Sequence, residues 1–473
     1  MRLSPAPVIL TVWVALGCGR AVSQTGAASL TTEFDPEAIS GLPGYRAGLI
    51  SESIFDGQSF VMEAGPSDAP TVVLVHGLGT SGARDFYPVL PALGAQHHVV
   101  TFDLPGFGRS TQGHELYSPE RYVEFIHAVV GARCKGPFNL VGHSMGGALS
   151  VLYAARFPSD VNRLIVIDAA GILHRKAFAN FAISAGLENA LAFLGSARKE
   201  AAKVATDAAS ESLQLLPDAP DMQMLLENDL LRITVLGSAE RIAALALILE
   251  DFGPMLEKVR SPTWILWGRN DSVASLRTGV VLQARLPHAQ IHILERSGHT
   301  PMLSEPGAVS QWLLKCLDTP TDQLAVAPAP APLAPTARAG RCENESGMRF
   351  SGDYSQIEIA GCQQVQLKDV RAGAIRVRQS DVIVENTQVS AGDTALQVVG
   401  SQVEITACDL SGNVALDSRD SQVDLAGVNL QGRRAGIHVS GASRMLFSVS
   451  RVDSPVGHRY LHDMLELKTG TEL

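Results

Sequence analysis

Near residue 141 the chain reads VGHSMGGA, and Ser144 sits there between glycines. A serine hydroxyl is a poor nucleophile at neutral pH unless a base takes its proton and an acid orients that base. Gly142-x-Ser144-x-Gly146 suits a sharp turn from strand to helix, because a Cβ at either flanking position would collide with neighbouring backbone. The run FNLV precedes the turn and GGALSVLYAARF follows it, which gives the strand and the helix that such an elbow needs. The alternative, a serine in an ordinary glycine-rich turn, leaves those flanks unexplained.

On a parallel sheet the expected chain order is Ser, then Asp or Glu, then His. TWILWGRNDSV supplies Asp271 just past one strand end, and IHILERSGHT supplies His299 just past the next. Strand ends on one sheet edge share a crevice, so the three side chains are expected to converge. Asp168, at the end of VNRLIVID, is the rival acid; the polar Gly-Arg-Asn-Asp loop favours Asp271. His97, His98 and His292 lie in or beside strands and are read as structural, and His143 as shaping the elbow. A tetrahedral oxyanion needs preorganised donors, for which the backbone N–H groups of Leu78 and Met145 are expected.

These residues need a scaffold. TVVLVHG, HHVVTFDLPG, PFNLVGHS, VNRLIVIDAAG, SPTWILWGRND and AQIHILERSGH are apolar on both sides, as buried parallel strands are. Helical stretches such as SPERYVEFIHAVVGA alternate with them, so residues 46–318 are expected to form a doubly wound, mostly parallel α/β sheet. Residues 172–250 interrupt the alternation with an Ala- and Leu-rich helical stretch, read as a lid; a helical subdomain with no gating role is the alternative. DLPGFGRS is read as structural, with Asp103 ending a strand and Gly106 and Gly108 making the turn.

A chain of 473 residues exceeds one comfortable core, so two domains are expected. The Pro/Ala-rich stretch 319–341 reads as a semi-rigid linker. Beyond it, Ile375, Leu396, Leu416 and Ile437 recur at intervals of about 21 residues, as do Val382, Val403, Val423 and Met445. Ser380, Ser401, Ser421 and Ser443 keep one register and are expected to form a ladder. Residues 342–454 are therefore read as an all-β parallel β-helix, with 455–473 as a tail. The β-helix is read as a spacer, surface-attachment or carbohydrate-contact module, and its deletion is expected to leave the chemistry of the first domain largely intact.

Residues 1–23 resemble an export signal, too short in its apolar run to span a bilayer, followed by a polar spacer over 24–45. Cleavage after Ala21-Val22-Ser23 competes with lipidation at Cys18; the Leu sits one place later than a lipobox expects, but Gly-Cys ends the apolar run abruptly, which favours a membrane-anchored lipoprotein. The expected location is therefore the cell envelope, or secreted or periplasmic. With six cysteines, removal or lipidation of Cys18 leaves at least one unpaired, and none has metal-ligand spacing. Cys342 and Cys362 suit a disulfide in an oxidising compartment; two buried thiols are the alternative. A diffuse net charge of −10 without a basic stripe argues against nucleic acid as a partner.

HGLGTSG, DLPGFGRS, GHSMGG, WGRND and SGHTPMLSEP together resemble the motif series of the α/β-hydrolase superfamily, over residues from about 46 to 318. The resemblance is to the branch of esterases, lipases, carbon–carbon bond hydrolases, haloalkane dehalogenases and epoxide hydrolases. The dehalogenase and epoxide branches carry Asp where this chain has Ser144, which argues against both chemistries. The C-terminal part is similar to short right-handed β-helix modules in general. The resulting expectation is a serine hydrolase of small hydrophobic carboxylic esters that uses no metal or cofactor. A carbon–carbon bond hydrolase or amidase with the same triad is the first alternative. A surface binding or adhesion protein with a vestigial hydrolase domain is the second.

Overall fold

The computed structural model describes residues 36–177, 219–320 and 337–473. The first domain is built on eight strands: β1 (Arg46–Glu52), β2 (Gly57–Ala64), β3 (Thr71–Val75), β4 (His98–Phe102), β5 (Phe138–His143), β6 (Val161–Ile167), β7 (Thr263–Gly268) and β8 (Gln290–Leu294). Their order is β1-β2-β4-β3-β5-β6-β7-β8. β2 pairs antiparallel with both β1 and β4, and every later neighbour is parallel. The six apolar runs of the sequence are β3 to β8. The antiparallel pair β1–β2 was not among them, because β1 lies at the sheet edge and is mostly exposed, so it carries no continuous apolar run.

Both faces of the sheet are covered, as an α/β domain requires. Val73, Val75, Leu140 and Val166 pack on one face with Val129 of α1 (Pro119–Arg133) and Leu149 of α2 (Met145–Arg156). Val72, Leu74, Val141 and Ile165 face the other way, against Phe86, Leu93 and Leu313. α1 starts where Ser118 caps it by accepting the Arg121 N–H, with Pro119 and Glu120 in the first turn and Arg133 in the last. Part of the spacer expected over 24–45 is folded: Pro36–Ser40 forms a helical turn, and Ile39 is buried in the second cluster. Of the lid expected over 172–250, residues 178–218 lie outside the described residues. The described remainder is helical, including Ala219–Glu227 and α3 (Ala239–Leu249). Residues 1–23, Cys18 and most of the 319–341 linker also lie outside.

The second domain is a fifteen-stranded sheet. Its pairing follows the repeat: Ile375 pairs with Leu396, Leu396 with Leu416, and Leu416 with Ile437, all in parallel. Val382, Val403, Val423 and Met445 form a second parallel row. Equivalent residues of the repeat thus stand side by side in an all-β domain. Cys342 and Cys362 are disulfide-bonded. The serine ladder is present, and its bonds run to backbone. Ser401 Oγ accepts the Ser380 N–H at 3.1 Å, Ser421 Oγ the Ser401 N–H at 3.2 Å, and Ser443 Oγ the Ser421 N–H at 3.3 Å. Each hydroxyl therefore satisfies a buried N–H one coil away. Two boundaries differ from expectation. Strand Arg338–Glu343 already pairs with Arg349–Ala360, so the domain starts inside the 319–341 linker range. The 455–473 tail is part of the sheet: Gly457–Leu461 and Met464–Leu467 pair antiparallel with Ser450–Ser454 and Ser443–Ser448. Antiparallel strands close the open edges of the last coil, which would otherwise invite pairing with another chain.

The two domains are packed together. Arg277, on α4 (Leu276–Arg285), reaches both carboxylate oxygens of Asp424 at 2.9 and 3.0 Å and Thr406 Oγ1 at 2.7 Å. Arg285 donates to Gly427 O at 2.9 Å and Cys408 O at 3.0 Å. Ala426, Leu446 and Val449 join the apolar cluster of the first domain. A separable spacer would not bury this much shared surface, so the module reading is revised on this point.

Candidate active site

The strand order reverses around β3, with β4 on one side and β5 on the other. Such a switch point opens a crevice at the carboxyl ends of the strands, and the loops after β3 and β5 meet there. Ser144 adopts φ 54° and ψ −121°, a strained conformation for a residue with a side chain. Its neighbours show why the turn is so tight. A Cβ on Gly142 would lie 2.1 Å from Gly146 O, and one on Gly146 would lie 2.1 Å from Val75 O. Helix α2 thus sits directly against β3 and β5.

His299 Nε2 lies 2.9 Å from Ser144 Oγ, and His299 Nδ1 lies 2.8 Å from Asp271 Oδ2. A carboxylate only accepts, so Nδ1 carries the hydrogen and Nε2 is left to accept from the serine hydroxyl. The other oxygen of Asp271 accepts the N–H groups of Val273 and Ala274 at 2.7 and 2.9 Å. The loop after β7 therefore fixes the carboxylate, and its side chain is only 1% exposed. The structure brings Ser144, Asp271 and His299 into one hydrogen-bonded line. The hydrogen bond to the imidazole comes from Asp271, whereas Asp168 Oδ1 accepts the Gly268 N–H at 2.8 Å.

Met145 is the first residue of α2, and no side chain caps that helix start. Its N–H belongs to the helix-terminal donors without an intrahelical acceptor, at the positive end of the helix dipole. The loop carrying Leu78 lies alongside, since a Cβ on Gly77 would come within 2.7 Å of Ser144 Cβ. His76 holds this loop: its Nδ1 is 2.7 Å from Gly77 O, and its Nε2 accepts the Leu104 N–H at 2.8 Å. Burial lowers the affinity of His76 for a second proton, which suits those two roles.

His143 does more than shape the elbow. Its Nε2 donates to the backbone carbonyl of His299 at 2.7 Å, tying the main chain at His299 to the residue before Ser144. Burial, then the neighbouring His299, push its pKa down to about 3, so it stays neutral. The other histidines play structural parts: His98 pairs with buried Glu63, and His292 stacks on Trp312. Asp103 accepts from the Ala83 and Arg109 N–H groups and from the Arg109 guanidinium. Burial alone would raise this carboxyl, but those donors hold it below its ordinary value. Asp85 was missed in the sequence. Burial pushes its carboxyl up to about 6, against the pull of Ser81 and of charge on His299. Nothing in its surroundings of Gly, Ala and Arg marked it as a buried carboxyl within reach of the His299 charge.

A family model described as alpha/beta hydrolase fold matches residues 70–306, and the chain belongs to that family. The chain is 29% identical over 236 residues to the 2-hydroxy-6-oxo-2,4-heptadienoate hydrolase of Pseudomonas putida, covering 48% of this chain and 82% of that one. It is 25% identical over 278 residues to monoacylglycerol lipase ABHD6 of Homo sapiens, covering 53% and 76%. Among solved structures, a hydrolase from Pseudomonas aeruginosa PA01 aligns with a TM-score of 0.43 at 18% identity, over 58% of this chain and 99% of that one.

Proposed function

We propose that the protein is a serine hydrolase that cleaves carboxylic esters through an acyl-enzyme. The observation that carries this reading is the unbroken line from Ser144 Oγ through the His299 imidazole to Asp271. His299 Nε2 takes the hydroxyl proton as Ser144 attacks the ester carbonyl, and Asp271 stabilises the imidazolium that forms. The N–H groups of Leu78 and Met145 hold the oxyanion. The imidazolium returns the proton to the leaving alcohol. Water, deprotonated by His299, then releases the acid and frees Ser144. The residues that do this work supply nucleophile, base, acid and oxyanion donors without calling on a metal or cofactor.

Small hydrophobic esters are the favoured substrates, supported by the apolar helical region after β6 and by the lipase named among the relatives. Carbon–carbon bond hydrolysis with the same triad is the second reading, favoured by the 2-hydroxy-6-oxo-2,4-heptadienoate hydrolase. A panel of p-nitrophenyl esters, amides and vinylogous 1,5-diketones on purified protein separates the two. Ser144→Ala is expected to lower ester turnover by roughly three orders of magnitude or more. Wild-type turnover in that variant would overturn the assignment. Export, with Cys18 as a lipid anchor, is part of the proposal; a Cys18→Ala protein that stays in the membrane fraction would refute the anchor. A carbohydrate or cell-surface contact of the β domain is proposed for its open groove lined by Ser411, Gln431, Arg433 and Asp453. Unchanged mobility through polysaccharide gels would argue against it.

A further inference from the structure

Asp168 poses a problem of valence. It is fully buried at the end of β6. Its Oδ1 accepts the Gly268 N–H, but its Oδ2 is also buried and meets no donor. A buried carboxylate oxygen without a donor is costly. Asp271, whose backbone N–H turns back onto the Gly268 carbonyl, brings its carboxyl close enough to Asp168 for a shared hydrogen bond, yet two carboxylates are both acceptors. Asp271 is already committed: two backbone N–H groups hold one of its oxygens and His299 Nδ1 the other. With three donors already on it, Asp271 is left to accept from Asp168. One proton on Asp168 satisfies every atom in the pair.

We propose that Asp168 keeps its proton and donates it as a hydrogen bond to Asp271, which makes Asp168 a positioning residue for the acid that orients His299. The inference rests on the reading of Asp271 as that acid. Asp168 does not touch substrate and transfers no proton; it closes the hydrogen-bond shell of Asp271 from the β6 side while the 271–274 loop closes it from the other. Burial, reinforced by the charge on Asp271, pushes the Asp168 carboxyl well above the usual carboxylate range. The ionisable groups in line with it are Asp271 and, beyond that, His299; the neighbouring β7 contributes only the Gly268 N–H. Asp168 sits at φ 44°, a conformation that Asn and Gly tolerate better than most residues, so both substitutions are usable.

The test uses the full chain and three variants. Asp168→Asn keeps an acceptor for Gly268 and an N–H donor for Asp271, so ester turnover is expected to stay within about threefold of wild type. Asp168→Gly removes the donor and is expected to lower kcat by about tenfold or more with little change in KM. Asp271→Asn breaks the tautomer control and is expected to cost about four orders of magnitude. Stability against pH gives a second readout. An unfolded Asp ionises near 3.8, whereas folded Asp168 retains its proton, so the folded state binds more protons and wild type loses stability as pH rises above that value. Asn does not titrate, so the urea midpoint of Asp168→Asn is expected to gain on wild type from pH 4 upward. A gap that is flat or moves the other way overturns the proposal. Infrared spectra at pH 8 give a third readout, with Asp85 and Glu250, pushed to about 6 and about 7, then ionised. Burial raises Glu404 as well, so the band is assigned by comparison with Asp168→Asn. A protonated-carboxyl band in wild type that Asp168→Asn lacks supports the proposal, and no band in wild type, or one that the variant keeps unchanged, overturns it. If Asp271→Asn is nearly silent and Asp168→Asn inactive, Asp168 is the triad acid and the proposal falls. If both are silent, the triad reading fails, while the stability and infrared results still decide the ionisation of Asp168.

Discussion

Arg277→Met tests whether the β domain and the hydrolase domain act as one folding unit. The Arg277 side chain is 13% exposed and Asp424 28%. The guanidinium also donates to Thr406 Oγ1 and Ile405 O and lies 3.4 Å from a Glu404 carboxylate oxygen. Methionine preserves the apolar stem and deletes the charge. Breaking a buried ion pair by removing one partner costs about 3–5 kcal/mol, because the remaining charge is left uncompensated. Asp424 and Glu404 retain some access to water, which reduces the loss to the bottom of that range or just below it, about 2–3 kcal/mol. At about 2–4 °C per kcal/mol for a domain of this size, thermal unfolding should shift down by about 4–12 °C. Scanning calorimetry with near-UV circular dichroism reads this, and the β domain should separate as an earlier transition. Asp424→Asn keeps the other Arg277 contacts and should cost less. A melting temperature for Arg277→Met within about 1 °C of wild type would refute the idea that this pair ties the domains together. Because α4 follows directly from the loop that holds Asp271, turnover should also fall several-fold below the unfolding temperature.

Three other outcomes follow from the same geometry. Gly146→Ala places a Cβ 2.1 Å from Val75 O, and loss of soluble, folded protein or of about 2 kcal/mol or more in urea titration is expected. His143→Ala removes the donor to the His299 carbonyl; kcat should drop by about tenfold or more with KM nearly constant in steady-state assays, and Gln should recover part of the loss. Burial lowers the pKa of both His143 and His174 to about 3, against 6.5 when unfolded. The stability they contribute is therefore present above pH 6.5 and lost as pH falls towards 3, so the urea midpoint should decline below pH 6.5. His174 lies against Ser448 and His462 of the β domain, so His174→Asn should flatten that decline.

Ser144 and Asp271 were legible because each follows a strand buried on both faces, which reads as a continuous apolar run, whereas His299 follows the partly exposed edge strand β8 and was legible through its apolar alternation and chain order. The β repeat was legible because parallel stacking forces equivalent residues into register. Other features carried no such signal. β1 is exposed along most of its length, so its pairing with β2 left no pattern. Arg277 and Arg285 look like ordinary helix-surface arginines until the β domain covers them. Gly457–Leu461 and Met464–Leu467 lie outside the repeat because they run antiparallel to it. Cys408 occupies a ladder position parallel to the serines, accepting the Thr387 N–H at 3.4 Å, and its thiol disguised that equivalence. The sequence raised Asp168 only as a rival to Asp271. Its bond to Gly268 depends on how the β6 and β7 ends lie side by side, which no local motif encodes.

The central claim is that Ser144 is an activated nucleophile. Full-length protein treated with a fluorophosphonate probe, digested and mapped by mass spectrometry tests it most directly. The account predicts one stoichiometric adduct on Ser144, absent in Ser144→Ala and strongly slowed in His299→Ala. No adduct on folded protein, or an adduct on another residue that persists in Ser144→Ala, would contradict it.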